Sequence, residues 1–329
     1  MDAKDDPWTG PTVGELGELA VLDRVTARLP TGTPLVGPGD DCAVVAAPDG
    51  RFVVTTDMMV HGPDFRWAWS SPEDVGWKAA ATNLSDVAAM GAVPTGLVVA
   101  IAAPQDTPVT VLEGIADGFR LAVDALAPGC GVVGGDLSTS SAFTLAVTAF
   151  GDLRERAPVL RSGARAGDTL AVSGELGPAA RGLARLFRTG VDEAGEPSRA
   201  AVVARGLDTD PDVGRQRRPV PPIGDGVLAA AAGATAMLDL SDGLAIDAGR
   251  LARASGVTLE LDAELDAAAL HGGEDHGLLA TFPRDVALPG GFRRVGVVLP
   301  RASTDLVRGG AAVPTTGWDP YADWDGVAG

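Results

Sequence analysis

Lysine is nearly missing from this chain. Among 329 residues there are two, Lys4 and Lys78, against 24 arginines. No GxxxxGK[ST] run is present, which excludes a P-loop NTPase. Lys78 lies in an Ala-rich helical stretch rather than a VAIK-type strand, which excludes a protein-kinase fold. Cysteine is as scarce. Cys42 and Cys130 make no disulfide framework, and with no signal peptide in view a reducing cytoplasm is expected. The three histidines, His61, His271 and His276, have no zinc spacing. The longest apolar stretch, Gly226 to Leu238, is short of the roughly 20 residues needed to span a bilayer.

Acid is what the chain has in excess. It carries 44 acidic and 26 basic residues, a formal net charge of -18, and Asp outnumbers Glu 33 to 11. A surface of that sign repels a phosphate backbone, so nucleic acid is not an expected partner. With 46% hydrophobic residues, 44 Gly and 24 Pro, the chain reads as globular with many tight turns. Its length suits two domains, each with its own core.

Periodicity predicts mixed strands and helices in both halves, an α/β or α+β arrangement. Residues 1–13 read as a loose tail, and 14–29 as a helix with Leu16, Leu19, Leu22 and Val25 near one face. Pro48-Asp49-Gly50 reads as a hairpin turn between strands 42–47 and 51–56. Ser71-Pro72-Glu73-Asp74 is a helix start, with a cap, a Pro at the first position and acids in the first turn. That helix is expected to stop at Gly91. Asp86 falls about 200° from Leu84, so it points away from the core side, in line with Thr82, Ala79 and Val75. Strand 95–103, helix 108–126 and strands 130–134 and 142–150 follow. An Arg-rich, Pro- and Gly-containing stretch at 151–167 suggests a junction, dividing the chain into domains 14–158 and 159–329. The second half reads as strand 168–173, helix 178–189, a polar loop 190–222, a helix near 224–232, strand 234–239 and helix 244–254. Strands at 257–262, 277–282 and 292–298 complete it.

Six short motifs place acid beside Gly, Ser or Thr: GDD (39–41), TTD (55–57), NLSD (83–86), GGD (134–136), DLSDG (239–243) and GGED (272–275). Alone, each is most simply a turn or a helix cap. Together they place Asp57, Asp136 and Asp239 at expected strand ends and Asp86 on the non-core side of a helix. Strand ends facing one cleft are where α/β proteins put ligand chemistry. Two like charges 4 Å apart cost roughly 4 kcal/mol at an effective dielectric of about 20. Converging acids must therefore protonate or bind cations, and an all-oxygen set favours Mg²⁺ or Ca²⁺ over zinc. Mg²⁺ shared with substrate phosphates would let a polyphosphate site work without lysine. Gly134-Gly135 would let backbone N–H groups approach an anion, and Arg161 is a candidate phosphate cation.

The ordered set GDD, TTD, NLSDVAAMGA, GGD, RSGARAGD, DLSDG, GGED and a late GW resembles the thiamine-monophosphate kinase family, within the PurM/AIR-synthetase-like superfamily. It spans roughly residues 14–320. The resemblance implies a two-domain α/β fold in which the N-terminal sheets of two subunits pair into a barrel-like dimer core. It implies phosphorylation of thiamine monophosphate to thiamine diphosphate by ATP, with several Mg²⁺ ions and direct in-line transfer. Metal ligands carried over are Asp41, Thr55, Thr56, Asp57, Asp86, Asp136, Asp239 and Asp242, with Asp57, Asp86, Asp136 and Asp239 as the catalytic set. ATP contacts fall on Gly135, Asp136, Arg161 and Ser241. Acceptor contacts fall on Asp64, Glu274 and Trp318, the last suited to stacking on a cationic thiazolium or the pyrimidine. Three departures sit on the acceptor side. Asp64 stands where the family usually has His, His276-Gly277 stands in place of Tyr-Glu, and the stretch before GGED is about a dozen residues short. The alternatives are another PurM-like ATP-dependent enzyme with a different acceptor, or a metal- or nucleotide-binding protein without turnover.

Overall fold

The computed structural model describes residues 6, 8–35, 45–262 and 264–318. Two sheets organise them. The N-terminal half contains helices α1 (Val13–Leu16) and α2 (Glu18–Thr26), strand β1 (Val53–Val60), helix α3 (Pro72–Ala89), strand β2 (Val93–Ala103), helix α4 (Val109–Leu126), and strands β3 (Val132–Thr139) and β4 (Thr144–Asp152). Its four-stranded sheet runs β1-β4-β2-β3. β2 and β3 are parallel and joined through α4, while β4 is antiparallel to β1 and β2. The C-terminal half contains β5 (Thr169–Ser173), α5 (Pro178–Thr189), α6 (Arg199–Ala204), α7 (Pro211–Arg217), α8 (Ile223–Ala231), β6 (Ala236–Leu240), α9 (Leu244–Ser255), β7 (Thr258–Leu261), α10 (Ala267–His271), β8 (Gly277–Phe282), β9 (Arg293–Leu299), β10 (Leu306–Arg308) and β11 (Ala311–Ala312). Its seven-stranded sheet runs β11-β10-β7-β9-β5-β8-β6.

Helix α3 joins the two halves. Ser71 and Asp74 form the expected capping box: Asp74 N–H donates to Ser71 Oγ (3.2 Å) and Ser71 N–H to Asp74 Oδ2 (2.9 Å). At the other end Gly91, at φ 74°, turns the chain out of the helix. Between these caps the helix is rich in alanine, and small side chains let neighbours approach from nearly every side. It packs on α4, β1 and β4 in its own half, and on α8, β6 and β8 in the other. Arg218 adds charged contacts to Asp74 and Glu73, and the Trp77 indole N–H donates to the Pro219 carbonyl at 2.7 Å. Thr82 and Asp86 are among the few α3 positions left partly exposed, so the helix turns them toward the cleft as the wheel predicts. Ala79 and Val75, expected on that side, are buried, because they pack into the N-terminal hydrophobic core.

Other expectations need correction. Residues 8–13 are docked rather than loose: Trp8 packs edge-on against Trp67 at 5.1 Å, and Val109 N–H donates to the Pro11 carbonyl. The helix expected over 14–29 is broken at Gly17, φ 75°. The turn at 48–50 is present, with Gly50 N–H donating to the Ala47 carbonyl. Its partner run 42–47 lies partly outside the described residues, and 45–47 are not strand; β1 pairs with β4 instead. The expected loop 190–222 contains α6, α7 and a short 3₁₀ turn at Leu207–Thr209. α10, β10 and β11 were not read from the sequence at all.

The tightest contact in the N-terminal core is between α3 and α4. A Cβ built on Gly76 would lie 2.0 Å from the Ile115 carbonyl oxygen, while one on Gly214 of α7 would meet nothing within 4 Å. Gly76→Ala should therefore lower stability by about 1–3 kcal/mol through forced separation of the helices, read as a drop in melting temperature. Gly214→Ala should leave it unchanged or slightly raised.

Candidate active site

Three carboxylates from three elements meet at the junction of the two halves. Asp57 comes from β1, Asp86 from the last turn of α3 and Asp239 from the C-terminal end of β6. Thr55, two residues before Asp57 and so on the same face of the strand, donates its hydroxyl to Asp86 Oδ2 at 2.8 Å. Ser85 donates to Asp239 Oδ2 at 3.2 Å. His276, buried at the start of β8, places Nδ1 3.6 Å from that same oxygen and Nε2 3.3 Å from the Thr82 hydroxyl.

The charges register the crowding. Burial, with added repulsion from Asp239 and Asp57, pushes the Asp86 carboxyl up to about 7 despite the Thr55 hydrogen bond. The Asp57 carboxyl is raised by the protein around it and by Asp239 and Glu274, against a pull from His276. His276 is raised as well: burial works against its charged form, but Asp239 and Glu274 overcome it. Among the described residues no three acid, His or Cys side chains close around one point as a ready metal site. The donor set is nevertheless hard oxygen carrying excess negative charge, the donor chemistry that suits a divalent cation.

Asp242 adjoins this cluster, in the turn between β6 and α9. It is paired with Arg250, whose Nη1 lies 2.6 Å from Asp242 Oδ2 and 2.6 Å from Asp247 Oδ1. Asp247, missed in the sequence, is buried and raised to about 6 by that burial and by Asp242 and Asp239, against Arg250. Its other oxygen accepts the Asp242 N–H at 3.2 Å, so it fixes the DLSDG turn. Ser241 lies in the same turn, its carbonyl accepting Glu274 N–H at 2.7 Å.

Not every expected ligand arrives. Asp57 and Asp136 were expected at strand ends, and both lie within their strands. Register then separates them. Asp57, Val147, Val99 and Gly135 form one row across the sheet, and Met58, Ala146, Ala100 and Asp136 the next. Asp136 is thus three strands away, about 14 Å at ordinary strand spacing, and its side chain belongs to the opposite face. Thr56 shares that face, its hydroxyl donating to the Val147 carbonyl at 3.0 Å. Arg161 is exposed on the loop before β5. The loop flanks Thr235 and Met237, toward the opposite end of β6 from Asp239. Asp41 and Cys42, with the whole GDD motif, lie outside the described residues.

The acceptor-side residues do share one place. A cavity of about 420 Å³ is lined by Asp64, Lys78, Glu274 and Trp318, with apolar walls from Phe65, Leu183 and Phe187. Asp64 Oδ2 accepts the Val60 N–H at 2.7 Å. Its carboxyl is raised by burial and by Glu274, with Lys78 pulling the other way. Trp318 is held by its own N–H on the Asp242 carbonyl at 3.1 Å, and the preceding Thr316 meets the His271 ring. Glu274 and His276 both take positive φ, 73° and 52°. Asp275 between them accepts the N–H groups of Gly177 and Ala179 at the start of α5. Lys78, the main residue missed on this side, was legible as helical spacing: Lys78, Thr82 and Asp86 stand one turn apart on α3.

The chain is similar to several known proteins. The AIR synthase related protein N-terminal domain family matches residues 39–153. A thiamine-monophosphate kinase of Mycobacterium tuberculosis is 44% identical over 335 residues, covering 96% of this chain and 95% of that protein. Among solved structures, the thiamine-monophosphate kinase of Stenotrophomonas maltophilia K279a superposes with a TM-score of 0.73 at 29% identity, covering 91% of this chain and 98% of its own. AaThiL complexed with AMPPCP and TMP superposes with a TM-score of 0.69 at 29% identity, covering 94% and 98%. This chain belongs to the thiamine-monophosphate kinase family.

Proposed function

We propose that the chain transfers the γ-phosphoryl group of ATP to thiamine monophosphate, giving thiamine diphosphate and ADP. The carrying observation is the contiguity of two sites. The Asp57–Asp86–Asp239 cluster, suited to cations and phosphates, adjoins a cavity whose acids and Trp318 suit a cationic heteroaromatic ring. The family relation and AaThiL, which takes AMPPCP and TMP, support the same reading.

In the proposed reaction an oxygen of the acceptor phosphate attacks the γ-phosphorus in line. The γ-phosphorus–oxygen bond to the β-phosphate breaks, and ADP leaves with that electron pair. The attacking oxygen is already ionised at neutral pH, so no general base is required. Asp57, Asp86 and Asp239 would hold Mg²⁺ on the covered face with Thr55 and Asp242, Asp41 is assigned to the same set, and Thr56 and Asp136, on the bare face, would hold Mg²⁺ there. What Mg²⁺ supplies when bound is neutralisation of the phosphate charge. Thr55 keeps Asp86 aimed at the cluster. The resemblance assigns Gly135, Asp136, Arg161 and Ser241 to ATP, of which Ser241 adjoins the cluster within one chain, and Asp64, Glu274 and Trp318 to the acceptor. We place the domain boundary near residue 158, between the two sheets.

Asp136 and Gly135 come beside the Thr55–Thr56–Asp57 triplet if a second copy supplies them, Gly135 on the face of Asp57 and Asp136 on the face of Thr56. The sheet face carrying Asp136 and Thr56 is uncovered: Phe52, Val54 and Met58 are 58%, 55% and 59% exposed. Among the described residues β1 and β3 are the sheet's two open edges. Two such sheets closing edge to edge into a barrel would bury that face and set β3 of one copy beside β1 of the other. This supports a homodimer whose sites are shared between subunits.

The assignments have direct readouts. Purified protein with Mg²⁺ and ATP should release ADP on adding thiamine monophosphate and little without it; no acceptor-dependent ADP would defeat the reading. Asp57→Asn and Asp136→Asn should each lose at least about 100-fold in turnover. Mixing the two inactive variants should restore up to about a quarter of wild-type activity if sites are shared, and nothing if each chain works alone. A carboxyl that keeps its proton to about pH 7 in the fold, against an ordinary 3.8, costs stability as pH rises between those values. Metal-free protein should therefore melt lower at pH 8 than at pH 5. Mg²⁺ should raise the melting temperature more at pH 8, and Asp86→Asn should flatten both trends.

A further inference from the structure

Lys78 is a buried ammonium in a cavity wall that also carries Asp64, Glu274, Arg66 and aromatic rings. It is 5% exposed and lines the cavity beside Phe65 and Trp318. Burying an ammonium costs several kcal/mol unless a partner offsets it. Its partner is Glu274: Nζ pairs with Glu274 Oε2 and lies 3.4 Å from the Asp64 carbonyl oxygen. Glu274 depends on the pair in return. It faces repulsion shared with Asp57 and Asp64, and it stands on a turn at φ 73°. Desolvation favours its neutral form, yet Lys78, helped by His276, holds its carboxyl below the usual range and so ionised.

The α3 stripe says which part of the acceptor this pair serves. Lys78, Thr82 and Asp86 follow one another at four-residue spacing, about 12 Å from first to last along the axis. Asp86 stands at the carboxylate cluster and Lys78 at the aromatic cavity. An acceptor lying along this stripe has its phosphate at the Asp86 end and its ring at the Lys78 end.

We propose that Lys78 is a positioning residue for acceptor specificity: it fixes the Glu274 carboxylate, ionised, against the cationic heteroaromatic ring of the acceptor, and does not grip the acceptor's phosphate. This rests on the acceptor reading above. It concerns a residue outside the metal and nucleotide sets, so the two can fail separately.

The test uses thiamine, which has the ring without the phosphate, beside thiamine monophosphate. Calorimetric titration of the full-length protein should show Lys78→Met weakening both ligands alike, by about tenfold or more. The KM for ATP should stay within about twofold of wild type, as expected for a loss confined to acceptor binding. Lys78→Met/Glu274→Gln should be no weaker than the worse single variant, because both remove one pair. Should Lys78→Met fail to fold, Lys78→Arg carries the test. It keeps the charge but not the point contact, and should weaken both ligands alike with the KM for ATP unchanged. Weakened thiamine monophosphate binding with unchanged thiamine binding would place Lys78 on the phosphate and overturn the proposal. So would unchanged binding of both ligands, or additive losses in the double variant. Wild-type protein that neither binds thiamine nor releases ADP with the monophosphate would instead defeat the acceptor reading itself.

Discussion

Repulsion among carboxylates is the constraint around which this molecule is arranged. Asp57, Asp86 and Asp239 come from three elements, and none is near another in sequence. They meet because α3 is wedged between the two sheets, with its cleft-facing stripe turned toward the middle of β1 and the end of β6. Bringing them together costs energy that the fold must recover elsewhere. The alanine-rich helix, its capping box, the α3–α4 close approach and the Arg218 and Trp77 contacts supply that rigidity. The Asp86 carboxyl, pushed to about 7, shows that the cost is not fully offset within the protein.

Where the chain does compensate its acids, it does so locally and with different cations. Arg250 bridges Asp242 and Asp247, and its fork suits two carboxylates at once. Lys78, a compact point charge, takes the single Glu274 oxygen in the cavity. His276 stands beside Asp239 and reaches Thr82. No arginine or lysine is paired with Asp57 or Asp86 by any ion pair among the described residues. Charge is thus balanced around the rim and left unbalanced at the centre, as the proposed cation and phosphate site requires. The scarcity of lysine fits this division, since a resident ammonium at the centre would compete with the ions.

Local physics made much of this legible. The α3 cap, its stop at Gly91 and the outward turn of Asp86 all follow from short-range rules, and so does most of the strand and helix order. The errors are also physical. TTD and GGD read as strand ends because Gly, Thr and Asp commonly punctuate strands, but β1 and β3 continue through them to Val60 and Thr139. The stretch 190–222 read as loop because Pro, Gly and charge interrupt helices too short to show a period. Lys78 was dismissed with the kinase folds, although its spacing from Thr82 and Asp86 placed it on the same stripe. Arg250, Asp247 and His276 became meaningful only through contacts distant in sequence or across a turn, which periodicity does not encode.

Strand parity carries the last step. Thr55, Thr56 and Asp57 are consecutive, so β1 must send Thr55 and Asp57 to the helix-covered face and Thr56 to the bare one. One triplet then serves two surfaces. On the covered face its partners are in the same chain: Thr55 meets Asp86, and Asp57 feels Asp239. On the bare face the Thr56 hydroxyl bonds, among the described residues, to its neighbours on β4, while Asp136 sits three strands off on the same side. No side-chain rotation carries Asp136 through the sheet, and sliding a strand by one residue would expose Val147 and Leu145 from the core. In the proposed dimer, a second copy against the open edges would bring Asp136 beside the triplet while leaving every hydrogen-bonded row intact. The uncovered Phe52, Val54 and Met58 supply the apolar area such a contact would bury.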